Sequence, residues 1–129
     1  MVSQVEWKKL HDAAKALLQV LQRIAGALKT GDNVAGRQIY ARLPGSITDF
    51  RNLIIAAQAK LANDLGFGAI SQEETVAKAY IDRLIAGAPA AMITLSGYGS
   101  SDPQPLNRWY NDLHELVQIS SLLAGIADT

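Results

Sequence analysis

Apolar residues recur along this chain at spacings of three and four, the period of a helix packed on one face. The clearest stripe is Trp7, Leu10, Ala14, Leu17, Leu21, Ile24 and Leu28. Ser3-Gln4-Val5-Glu6 precedes it and has the form of a capping box, in which the Ser hydroxyl and the Glu carboxylate accept each other's backbone N–H. Gly31 follows Thr30 and suits the left-handed position that ends a helix. The pattern predicts a first helix over about 4–30. Ala13, Val20 and Ala27 broaden its stripe on one side, Leu18 and Ala25 on the other. A two-stranded coiled coil would carry charges there, so this helix is expected to meet more than one neighbour.

Asp32 or Asn33 would cap a short helix running to Leu43, stopped by Pro44-Gly45, since proline lacks the N–H a helix interior needs. Ser46 or Thr48 would cap the next helix, with Ile47, Phe50, Ile54, Ala57 and Leu61 inward, Leu53 and Leu65 widening the face, and Gly66 closing it. Ser71-Gln72-Glu73-Glu74 is a second capping box, opening a helix through Val76, Tyr80 and Leu84 to Gly87. Pro89 suits the first position of a further short helix. Residues 97–105, rich in Gly, Ser and Pro, read as a loop. The last helix is expected from about Leu106 to Ile126, with Leu106, Trp109, Leu113, Leu116 and Leu123 inward and Tyr110, Val117 and Ala124 alongside. The expected fold is all-α: a single-domain antiparallel helical bundle over residues 1–129, with four main helices plus one or two short helices.

Composition agrees with this reading. Twenty of the 129 residues are Ala and sixteen are Leu, both good helix formers, while only 6% are aromatic. The 49% hydrophobic share is enough for a core and excludes a disordered tail. With no cysteine, disulfides, thiol nucleophiles and thiolate metal sites are all excluded. The first residues lack the apolar run of a signal peptide, and no uninterrupted apolar stretch reaches a membrane span, so a cytoplasmic location is expected, or a virion if the source is viral.

Charge is balanced overall but uneven along the chain. Residues 1–43 carry seven basic and three acidic groups; residues 44–129 carry five basic and nine acidic. Such a split suits a basic N-terminal face, including Lys8, Lys9 and Lys15, meeting an acidic face of a neighbour. Residues 84–101 hold no charge at all. Met92, Ile93 and Leu95 there, with Tyr98 between glycines, are the expected anchors of a protein interface.

Catalytic patterns are missing. There is no phosphate loop, nucleophile elbow or His-Glu-x-x-His, and neither His11 nor His114 has a Glu three residues before it, as a di-iron bundle would require. Both histidines are expected to be solvated or capping residues, because His11-Asp12 and His114-Glu115 are adjacent and point about 100° apart on a helix. Trp7, Trp109 and Tyr110 are expected to pin helix ends to the core. No cofactor, metal or small-molecule substrate is expected, and no membrane contact. Nucleic acid is disfavoured as a partner, because Glu73, Glu74 and Asp82 surround the cations of the helix at 71–87.

The expected function is therefore non-enzymatic. The chain reads as a structural subunit packing with itself or with other protein subunits into a homo-oligomer or larger particle, a bacteriophage virion or connector-type component being one concrete version. The alternative is a small regulatory module binding DNA or a partner protein through the helix at 71–87.

Overall fold

A computed structural model describes residues 2–30, 33–96 and 104–126, and the side chains among them apart from 25–30, 33–42, 44 and 92–96. Four helices make up the described chain: α1 (Gln4–Thr30), α2 (Asn33–Gly66), α3 (Gln72–Ser96) and α4 (Gln104–Ala124). No strand occurs among the described residues, and the chain is an all-α helical bundle. No described helix is long and apolar enough to cross a membrane.

Both capping boxes form. Ser3 Oγ accepts from the Glu6 N–H at 3.1 Å, and Glu6 Oε1 accepts in return from the Ser3 N–H. Ser71 and Glu74 repeat the exchange at the start of α3. The two described C-termini are also closed. At the end of α2 the Ala69 N–H reaches the Asp64 carbonyl at 2.8 Å and the Gly68 N–H reaches Leu65, with Gly68 at φ +70°. At the end of α4, Ile126 and Gly125 do the same to Ser121 and Leu122, with Gly125 at φ +69°. These are Schellman turns, which satisfy carbonyls that a helix end leaves orphaned. The left-handed residue closing α2 is thus Gly68 rather than Gly66.

The central stripe of α1 is buried from Trp7 to Ile24, and Leu18 with it. Ala13 and Val20 are half-buried against the same core. Leu28, Ala25 and Ala27 lie outside the described side chains. As expected, α1 meets two neighbours, α2 and α4, and α3 completes the bundle by packing on the same two. Trp7 and Trp109 are both buried, and Tyr110 accepts a hydrogen bond from Gln22 at 2.9 Å.

Two expected helix breaks are not there. The short helix at 33–43 is the first part of α2, which passes through Pro44-Gly45 without interruption. The apolar positions explain why: Leu43, Ile47, Phe50, Ile54, Ala57 and Leu61 are all buried at spacings of four and three, so one stripe crosses the proline in phase. Packing of that stripe outweighs the local cost of the proline, about 3 kcal/mol. Ser46 and Thr48 therefore lie inside α2 and not at the start of a helix. Likewise α3 runs past Gly87 with Pro89 inside it. Its buried stripe is Ala77, Ile81, Leu84 and Ala91. Tyr80 is only half-buried and Val76 is exposed. The last helix begins at Gln104, two residues earlier than expected, and ends at Ala124.

Candidate docking surface at one end of the bundle

Three contacts define which helix ends lie together. Lys60, near the end of α2, pairs with Glu6 in the first turn of α1. The side-chain amide of Gln4 lies against Gly125 at the end of α4. The turn over residues 67–71 carries α2 directly into α3. These contacts bring the start of α1 to the later part of α2 and to the end of α4, and the turn sets the start of α3 beside the end of α2, all at one end of the bundle.

This end is apolar in an unusual way. Six large apolar side chains are exposed among the described residues: Val5, Ile55, Leu65, Phe67, Val76 and Leu122. Every one except Ile55 belongs to this end. Phe67 is 80% exposed, Leu122 67% and Val5 65%, far more than a residue left at the rim of a core. Single exposed apolar residues are ordinary; five of them at the helix termini of one bundle end make that end a candidate contact surface. The end is also where both capping boxes and both Schellman turns fall, so several of its terminal backbone groups find partners inside the chain.

Its charges are partly committed. The Lys60 ammonium bonded to Glu6 holds that carboxyl below the ordinary range. Glu74 closes the Ser71 box, and Glu73 beside it is exposed. Lys8 and Lys9 are exposed in the second turn of α1, Lys8 reaching Asp12 at 3.3 Å.

Among the described residues, those expected at interfaces lie on two helices, α1 and α3. Lys15 is half-buried one turn further along α1 than Asp12. Met92, Ile93 and Leu95 belong to the last turns of α3, at the opposite end of that helix from Ser71. Their side chains, and Tyr98 altogether, lie outside the described residues. The expectation that one helix ends at Gly87 and Pro89 opens another is overturned, since residues 88–96 continue α3.

His11 also departs from expectation. It is buried, at 3% exposure, and its Nδ1 lies 3.1 Å from Asp12 Oδ1. Adjacent side chains do meet here, although Asp12 itself stays exposed. The bond holds the Asp12 carboxyl below its usual value, with Lys8 adding to the effect. His114 is exposed, as expected, and its Nε2 accepts from Gln118 at 3.2 Å. No cluster of three or more His, Cys, Asp or Glu suited to a metal occurs among the described residues.

Phe67, Leu65, Val76 and Leu122 were invisible as site residues in the sequence. Leu65 and Val76 fit the helical period, so they read as core, and only the angular position of the true stripe reveals them as outward. No family model matches the chain, and no curated protein or solved structure is similar to it.

Proposed function

We propose that this protein is a non-enzymatic assembly subunit that packs through its capped, apolar bundle end into a homo-oligomer or larger particle. One observation carries the reading: exposed apolar side chains coincide with four helix termini whose backbone groups are partly satisfied by caps and closing turns. Removal of apolar surface from water drives association. Burial of unpaired N–H and C=O groups opposes it. This end offers the first and avoids much of the second. A virion or connector-type component of a bacteriophage is one concrete form of such a subunit.

In this reading the helices alternate in direction, as an antiparallel up-and-down bundle. The Glu6–Lys60 and Gln22–Tyr110 pairs support that arrangement, since each joins the start of one helix to the later part of its neighbour. The short turn over residues 67–71 between α2 and α3 favours it as well. A regulatory role through the helix at 71–87 has less support. Lys78 is held by Asp82 at 2.8 Å, and Arg83 lies over the Tyr80 ring and 3.9 Å from Asp112. The cations a phosphate backbone would need are engaged within the fold.

Light scattering on the wild type and on the Phe67→Glu, Leu122→Glu double variant tests the proposal. The wild type should exceed its chain mass of 13.8 kDa. The variant, with its helical circular dichroism unchanged, should fall toward that mass. Equal masses in the two would overturn the proposal.

A further inference from the structure

We infer that the partner received at this end is a second copy of the chain, docked end to end about a two-fold axis with the start of α1 over the start of the mate's α3. The inference rests on the assembly reading above and adds the partner and its orientation. Each of α1 and α3 packs on both α2 and α4, and the two do not touch among the described residues, so they occupy diagonal corners. A two-fold axis along the α2–α4 diagonal exchanges those corners. It sets α1 of each copy over α3 of the other, and α2 and α4 over themselves, as a self-complementary contact requires.

The two exchanged corners carry opposite charge. At the α1 corner Glu6 is matched by Lys60 and Lys8 by Asp12, leaving Lys9 exposed in the second turn as the cation in excess. At the α3 corner stand Glu73 and Glu74, with no cation before Lys78. Docking in this orientation brings lysines toward glutamates twice, once at each corner. The apolar residues obey the same symmetry: Val5 comes to Val76, and Leu65, Phe67 and Leu122 come to their own counterparts. Placing α1 over α1 would instead face lysine with lysine and glutamate with glutamate, which is penalised. Placing α3 over the mate's α2 or α4 would take Glu73 and Glu74 away from the lysines of α1, so neither charge pair would form. The chosen contact is closed, so it stops at two copies.

Sedimentation equilibrium on Lys9→Glu, on Glu73→Lys and on the two combined tests the inference, with circular dichroism confirming that each folds. The wild type should associate to twice the chain mass. Each single change puts two like-charged contacts into the dimer and should weaken it by roughly tenfold, the scale of two exposed pairs. The combined variant restores opposite charges at both corners and should return close to the wild-type affinity. Single changes without effect, or a combined variant no stronger than either single one, overturn the orientation. If Phe67→Glu still abolishes association in that case, the assembly reading survives alone. A species larger than two copies also overturns the closed contact. A wild type that stays at one chain mass at every concentration removes both readings.

Discussion

Trp109 donates its indole N–H to the backbone carbonyl of Leu84 at 2.8 Å, joining α4 to α3 inside the core. The same ring meets Phe50 of α2 edge-on, with centroids 6.1 Å apart and planes at 85°. One tryptophan thus links three helices through a hydrogen bond and an aromatic contact. Trp109→Phe keeps much of the apolar volume and removes the donor. The loss should be about 1–3 kcal/mol, the cost of an unmatched buried polar group. A urea melt measures it; an unchanged midpoint would mean that the bond contributes nothing net.

Gly87 lies beside that ring, and a Cβ there would sit 3.5 Å from Trp109 Cδ1, an ordinary contact. Gly87 is interior to α3, so Gly87→Ala should stabilise the fold by about 0.5–1 kcal/mol through helix propensity. Gly125 is the opposite case. Its φ is +69° and a Cβ would collide with the Gln4 amide. Gly125→Ala should cost about 1–2 kcal/mol from backbone conformation alone. Thermal melts of the two variants should therefore move in opposite directions.

The sequence made α1 legible almost to the residue, because its cap and its stripe agree. It misled at Pro44-Gly45 and Gly87-Pro89, where local breakers argued against helices that packing sustains. The overlooked signal was phase. Leu43 and Ile47 flank Pro44 on one unbroken stripe, and Leu84 and Ala91 stand seven residues apart across Gly87 and Pro89. The candidate surface was only half legible. Lys8 and Lys9 announce themselves by charge, but Phe67 occupies a turn and Leu122 an outward helical position. Neither place has a pattern that separates exposure from core.

Leu21 is buried mid-stripe in α1, away from either helix end. Leu21→Ala should cost roughly 2–5 kcal/mol, the range for buried leucine truncations. Denaturant unfolding measures the loss. A change below about 0.5 kcal/mol, the scale of ordinary surface substitutions, would place this face outside the chain's own core.

Asp82 links α3 to α2, accepting from Gln58 at 2.7 Å and from Lys78 at 2.8 Å. Burial pushes its carboxyl upward, but the bonds from Lys78 and Gln58 outweigh burial and hold it below the ordinary value of 3.8. A carboxyl depressed by folding stabilises the native state above its unfolded pKa, and that contribution fades as pH falls through the folded value. Asp82→Asn should therefore lower stability at neutral pH and lose less than the wild type on acidification below about 4. Parallel stability–pH curves for the two proteins would contradict this assignment.

The central claim is that the bundle end bearing Phe67 and Leu122 is a self-association surface. Sedimentation equilibrium of the wild-type chain over a wide concentration range tests it most directly. The weight-average mass should rise from 13.8 kDa toward twice that value as concentration increases. A mass fixed at 13.8 kDa throughout would contradict it.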